Sequence, residues 1–168
     1  TLSQQGKSAE ALECFERVLA IRPLDSRVHS HVLVCHQYLP GVSLELLAAK
    51  HKEWNDRHAA PLKGLSHKSP RTSSARQPPR VGFVSRDFRR HPVGYFLGPL
   101  FEMLDRTQFE TVCYYDSVEQ DDFTRRFQAA ATQWQSVVEL TDDQLAEQIR
   151  KDQIDLLIDL AGHTAANR

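Results

Sequence analysis

Two short stretches hold side chains able to do chemistry. One is Ser85-Arg-Asp-Phe-Arg-Arg-His91-Pro92 and the other is Gly162-His-Thr-Ala-Ala-Asn-Arg168. Each comes after an apolar, strand-like run: Arg80-Val-Gly-Phe-Val before the first, Ile154-Asp-Leu-Leu-Ile-Asp-Leu160 before the second. In a parallel α/β sheet the carboxyl ends of strands face one rim, and ligands sit outside that rim. The rim therefore collects His91, His163, Thr164 and Arg168, with Asp87 and Asp159 as acidic neighbours. Histidine exchanges a proton near neutral pH, and arginine clamps phosphate or carboxylate. Each residue also has a plain structural role open to it. A histidine before proline is commonly a loop residue, and Asp159 can act as a buried acid capping a neighbouring loop. Asp155, nearer the start of its strand, reads as structural.

The loop after the first strand excludes several chemistries. Ser-Arg-Asp-Phe replaces the Gly-x-Gly-x-x-Gly of a dinucleotide site, so a nicotinamide dehydrogenase is disfavoured. No phosphate-binding Gly-x-x-x-x-Gly-Lys loop and no Gly-x-Ser-x-Gly nucleophile elbow occur. The chain has 168 residues, 40% of them hydrophobic and 26% charged, with a net charge of −1. That balance suits a globular protein and suggests neither nucleic-acid binding nor a membrane surface. Cys14, Cys35 and Cys113 are dispersed in apolar-periodic segments, which reads as buried free thiols in a reducing, cytoplasmic compartment.

Helices and strands must position the two stretches. Residues 6–23 read as a helix with Ser8 as N-cap, an apolar face of Ala11, Leu12, Phe15, Val18 and Leu19, and Pro23 as stop. Gly6, Ala11, Phe15 and Pro23 stand at the spacing of the second helix of a tetratricopeptide repeat. A second helix is predicted over 25–39, with Val28, Val32, Cys35 and Leu39 on one face. A third is predicted over 43–59, with Leu44, Leu47, His51, Trp54 and His58 along a stripe. His51 and His58 stand two turns apart with no third ligand evident, so half-buried or surface histidines are expected rather than a metal pair. The same holds for His29, His31 and His36. Residues 61–79, rich in Pro, Ser, Gly and Thr, read as a linker. Beyond it, strands over 80–85, 109–115, 134–140 and 154–160 alternate with helices over 94–105, 120–131 and 141–151. This implies βαβ units and a parallel sheet. The domain reading is thus 1–60 helical, 61–79 linker and 80–168 an incomplete Rossmann-like lobe.

Taken in order, Arg80-Val-Gly-Phe-Val-Ser-Arg-Asp-Phe…His91-Pro92, Phe109-Glu-Thr-Val-Cys-Tyr-Tyr115 and Ile154 through Arg168 resemble the start of the catalytic region of the O-linked N-acetylglucosamine transferase/SPINDLY family in its bacterial form. The helical lead-in resembles that family's junction between tetratricopeptide repeats and catalytic region. Arg89-Arg90 departs from the small residues expected between Asp-Phe and His-Pro. The resemblance implies an α/β fold, part of a glycosyltransferase B architecture of two Rossmann-like lobes. It implies inverting transfer of a sugar from a nucleotide sugar, UDP-GlcNAc above all, to Ser or Thr of acceptor proteins bound through the repeats. Neither a metal nor a cofactor is implied. His91 is carried over as the catalytic histidine. Pro92, Gly162, His163 and Thr164 are carried over as substrate-binding residues, and Asp87 and Arg168, placed on the same rim by their positions after the strands, are read with them. GDP-fucose as donor, or a non-catalytic interaction module, are the alternatives. The second lobe is expected beyond Arg168, so the chain alone is expected to be inactive.

Overall fold

The computed structural model describes residues 2–65 and 78–164. They form two compact units, residues 2–65 with His163 and Thr164, and residues 78–162.

The helical unit contains α1 (Ser8–Ile21), α2 (Ser26–Gln37) and α3 (Leu44–Trp54). The Asp25 carboxylate accepts from Val28 N at 3.0 Å and starts α2, and Ser43 Oγ accepts from Leu46 N at 3.2 Å and starts α3. Both side chains satisfy N–H groups that a helix leaves unpaired in its first turn. Ser8 does not cap α1: it is the first helical residue, after Lys7. Helix α2 is the most enclosed of the three, burying His29, Ser30, Val32, Leu33, Cys35 and His36. The single predicted face of α2 was too narrow, because α2 is covered on several sides. Of α1 only Ala11 is buried, so Cys14 is exposed, contrary to expectation, whereas Cys35 and Cys113 are buried. Burial pushes both of those thiols up. Past Trp54 the chain stays helical but widens into a π turn over Asn55–Ala59, then tightens into a 3₁₀ turn over Ala60–Leu65. Most of the predicted linker lies outside the described residues.

The second unit is built on a sheet of β1 (Arg80–Ser85), β2 (Glu110–Tyr115), β3 (Gln133–Ser136) and β4 (Leu156–Asp159). All neighbours are parallel and the order is β3-β2-β1-β4. Helices α4 (Pro92–Met103), α5 (Asp122–Ala130) and α6 (Asp142–Lys151) connect the strands. The two-residue period of a strand sorts side chains to opposite faces. Phe83, Cys113 and Tyr115 pack with Phe101 of α4 and Phe127 of α5. Val84, Val112 and Tyr114 pack with Leu145 of α6. Fully burying each such side chain contributes about 1.5–3 kcal/mol. Gly82 is needed where β1 is tightest: a Cβ there would lie 3.0 Å from side-chain carbons of Ile154 and Leu157 and 3.2 Å from the Tyr114 ring. β4 is an edge strand, and its Leu156 and Leu157 remain about half exposed. Strand β3 stops at Ser136, because Val137 turns inward to full burial and its carbonyl closes a turn with Leu140 N. The predicted capping box of Thr141 and Gln144 then opens α6.

At the opposite end of the sheet from the two polar loops, Asp152 ties α6 to the strands. Its Oδ2 accepts from Tyr114 Oη at 2.7 Å and Gln135 Nε2 at 2.8 Å, and its Oδ1 accepts from Gln148 Nε2 at 3.0 Å. Tyr114 is fully buried, and burial followed by the bond to Asp152 raises its phenol far above the usual value. Asp152→Ala strands that hydroxyl in the core and is expected to cost about 2 kcal/mol. Adding Tyr114→Phe should recover part of the loss, since both partners are then gone. Urea denaturation of both variants checks this, and an additive loss would contradict it.

Candidate functional site

Strand order places the site. The chain runs from β1 to β2 to β3 on one side, then returns to pair β4 with the other side of β1. Such a reversal splays the connections on either side and opens a crevice at the carboxyl ends of the two strands. Val84 and Asp159 are register partners there, and Leu160 N donates to Val84 O at 3.2 Å. The two polar stretches singled out in the sequence leave the sheet from adjacent strands.

The loop after β1 is held by its one apolar residue. Phe88 is fully buried against Phe101, Tyr115, Phe127 and Trp134, with ring centroids 5.2–6.3 Å away. Before this anchor, buried Ser85 turns the chain, its Oγ accepting from Asp87 N at 2.9 Å. After it, His91 occupies the N-cap of α4 in extended conformation, and Pro92 is the first helical residue. Proline suits that position because its missing N–H would have had no helical partner. This is why α4 begins two residues earlier than predicted.

Asp87, His91 and Pro92 are therefore brought together. The Asp87 carboxylate is buried, with Oδ2 3.7 Å from His91 Nδ1. His91 Nδ1 also accepts from Val93 N at 3.3 Å. The two contacts compete for one nitrogen. While Nδ1 accepts from Val93, the ring proton sits on Nε2, and the exposed edge of the ring is a donor. When Nδ1 carries a proton, the Asp87 carboxylate is the group facing it. His91 is one-third exposed, so its outer edge is open to a ligand. The amino end of α4 favours negative charge at the same place.

The loop after β4 is built differently. Asp159, exposed rather than buried, folds its carboxylate over its own loop, accepting from Ala161 N at 2.8 Å and Gly162 N at 3.1 Å. Gly162 takes φ +53, in the left-handed region that favours glycine. Asp155 accepts from Arg80 N at 2.8 Å, a structural role. His163 and the exposed Thr164 belong to the helical unit. His163 Nδ1 lies 3.1 Å from Ser30 Oγ, and its ring meets Trp54 edge-on at 4.7 Å and His51 at 5.1 Å. Arg168 lies outside the described residues.

The sequence pattern did not reveal one arrangement. His29 is 1% exposed and its Nδ1 lies 2.9 Å from His58 Nε2, with Trp54 packed on the His58 ring. Burial, then the nearby His58 and Arg57, pull the His29 imidazole down to about 4. The surface-histidine expectation fails here because the partners lie 29 positions apart on different elements, which no local periodicity reveals. Among the described residues no group of three or more His, Cys, Asp or Glu is arranged to hold a metal ion. None of the described helices is long and apolar enough to cross a membrane.

A parallel sheet of order β3-β2-β1-β4, its strands linked by helices, defines the class as a Rossmann-like lobe. The chain belongs to glycosyl transferase family 41, whose profile matches residues 24–168. It is 27% identical over 162 residues to a rice (Oryza sativa subsp. japonica) protein described as a probable UDP-N-acetylglucosamine–peptide N-acetylglucosaminyltransferase, SPINDLY, covering 94% of this chain and 17% of that one. It is 34% identical over 90 residues to the Arabidopsis thaliana protein SEC, described in the same terms, covering 53% of this chain and 9% of that one. Among solved structures, an O-GlcNAc transferase mutant of Thermobaculum terrenum superposes with a TM-score of 0.84 at 32% identity, covering 99% of this chain and 32% of that chain. The chain thus spans less than a fifth of these curated relatives and about a third of the solved relative.

Proposed function

We propose that this chain forms one wall of the active site of a protein O-glycosyltransferase of glycosyltransferase B architecture. The enzyme transfers N-acetylglucosamine from UDP-GlcNAc to Ser or Thr hydroxyls with inversion. Membership of family 41 supports glycosyl transfer. The names of the relatives favour UDP-GlcNAc over GDP-fucose. The observation that carries the site is the Asp87–His91 pair in the loop that leaves the carboxyl end of β1.

In this mechanism the acceptor hydroxyl attacks the anomeric carbon as the bond to the nucleotide diphosphate breaks. His91 Nε2 faces the reacting groups. With Nδ1 bonded to Val93 N, Nε2–H donates to an oxygen of the donor. For His91 to accept the hydroxyl proton instead, Nδ1 carries the ring hydrogen, and Asp87 compensates the imidazolium that results. Asp87 thus acts on substrate through His91. Gly162, His163, Thr164 and Arg168 contribute contacts to the donor. No metal or cofactor takes part. Tetratricopeptide repeats preceding the chain bind acceptor proteins, a second lobe supplies the nucleotide contacts, and the enzyme works in the cytoplasm. The 168-residue chain alone is inactive.

His91→Gln tests the reading in the full protein that carries this chain, with radiolabelled UDP-GlcNAc and a serine-containing peptide. Turnover is expected to fall about a hundredfold, with a cooperative thermal melt lowered by no more than the lost cap on Val93 N, about 1 kcal/mol. Turnover near the wild-type value would remove His91 from the mechanism.

A further inference from the structure

Arg89 and Arg90 stand just before His91, and the structure shows what these two residues meet. Both turn to the β2–α5 connection. Arg90 Nε and Nη2 each lie 2.8 Å from a carboxylate oxygen of Asp122. Arg89 Nη1 lies 2.6 Å from Glu119, and its Nη2 lies 3.5 Å from Asp87. The Arg90–Asp122 and Arg89–Glu119 pairs are partly or largely exposed, so solvent screening leaves both weak.

A fourth contact is different in kind. The backbone N–H of Arg90, the residue before His91, donates to Asp121 Oδ2 at 2.7 Å. The other oxygen of the same carboxylate, Oδ1, accepts from Thr124 N at 2.9 Å and caps α5. Fully buried Thr124 completes the box, its Oγ1 accepting from Asp121 N at 3.1 Å. Partial burial works to raise the Asp121 carboxyl, but the N–H groups of Arg90 and Thr124 outweigh it and hold the carboxyl below its usual value. One ionised carboxylate therefore fixes a helix start with one oxygen and the catalytic loop with the other.

We infer that Asp121 is a positioning residue for His91. The inference rests on the reading of His91 as the group that faces substrate. His91 has Phe88 anchored three residues before it and α4 after it. Between those fixed points the chain has one free hinge, at Arg89 and Arg90, and Asp121 closes it through the backbone. The contact is made to a main-chain N–H, so it depends on Asp121 and not on the identity of residue 90. The Arg90–Asp122 and Arg89–Glu119 pairs add to the closure. Released from Asp121, His91 keeps its bond to Val93 but loses its fixed distance from Asp87 and from the reacting atoms.

The chemistry of the carboxylate permits a clean separation of its two roles. Asp121→Ser keeps an N-cap oxygen for Thr124 N and removes the acceptor for Arg90 N. Asp121→Asn also keeps the cap, but turns an amide N–H toward the Arg90 N–H. In the full protein, with UDP-GlcNAc and a peptide acceptor, Asp121→Ser is expected to lower kcat about tenfold and to leave KM for UDP-GlcNAc within about twofold. Asp121→Asn should be at least as slow. In a His91→Gln background Asp121→Ser should add no further loss, since a residue acting through His91 has nothing left to position. Wild-type kcat in both Asp121 variants would overturn the inference, and so would an undiminished tenfold loss in the His91→Gln background. A slow His91→Gln enzyme with a fast Asp121→Ser enzyme rejects the positioning role alone. A fast His91→Gln enzyme rejects the site reading together with it.

Discussion

Gly94→Ala is expected to destabilise the chain by about 3 kcal/mol, and in the full protein to abolish transfer. Gly94 lies in the first turn of α4, where alanine is intrinsically the better helix former by about 1 kcal/mol. On propensity alone the substitution would stabilise. Space decides otherwise. A Cβ at this position would stand 2.1 Å from the Arg89 carbonyl oxygen and 3.4 Å from that of Asp87. The first distance lies far inside van der Waals contact. Both obstacles are backbone, which cannot swing aside like a long side chain. The loop over 87–91 must lift off α4, and it cannot lift freely: Phe88 is locked in the aromatic core and Arg90 N is bonded to Asp121. Relief comes by breaking one of these, or by displacing His91 from the helix start. Thermal unfolding of Gly94→Ala, set beside a solvent-facing control such as Gly41→Ala, measures the cost. Gly41 has open space around it but takes φ +78, so its cost is strain of one residue and not displacement of the loop. A Gly94→Ala protein as stable and as active as wild type would mean that the loop is softer than its contacts indicate.

The same loop shows where the sequence was informative. The strand Arg80–Ser85 was legible to the residue, because an apolar run between Pro79 and a polar cluster has one reading. The pairing of β1 with β4 was not spelled out by any residue. It set the two strands that lead into the polar stretches side by side. His91 and Asp87 were legible as candidates by type and spacing, while their competition for one nitrogen needed coordinates. Gly94 carried no signal at all: nothing in Pro92-Val-Gly-Tyr95 announces that the chain folds back over the helix. The bonding of Asp121 to Arg90 N was equally hidden, since its Asp-x-x-Thr pattern already had a complete explanation as a cap. The half-buried or surface reading holds for His31, His51 and His58 but fails at His29 and His36, for another reason. Periodicity reports which face of a helix a residue occupies, and α2 is buried on more than one face.

That failure leads to the expectation that the protein loses stability on mild acidification through His29. The imidazole is 1% exposed and is pulled down to about 4, first by burial and then by His58 and Arg57, with Lys50 adding to them and Glu53 opposing. His58 is lowered as well, by burial and Arg57 against Asp25. At 2.9 Å between Nδ1 and Nε2, one ring donates and the other accepts, an arrangement that requires a neutral acceptor. In the unfolded chain a histidine titrates near about 6.5. Between about pH 6.5 and 4 the unfolded state therefore binds more protons than the folded state, and stability falls as pH falls. Above that window both states are neutral and nothing changes. Below it both are charged and the loss levels off. A shift of this size corresponds to about 3 kcal/mol, a large part of the stability of a domain this small. His29→Asn, whose amide can replace Nδ1 without titrating, should make the drop in unfolding free energy between pH 7 and pH 4 about 3 kcal/mol smaller than in wild type. Carboxylates that titrate in the same range are common to both proteins and cancel in the comparison. Equal drops in urea titrations of the two proteins would show that the buried pair carries a proton in the folded state, and that the two rings are held by packing and not by a neutral hydrogen bond.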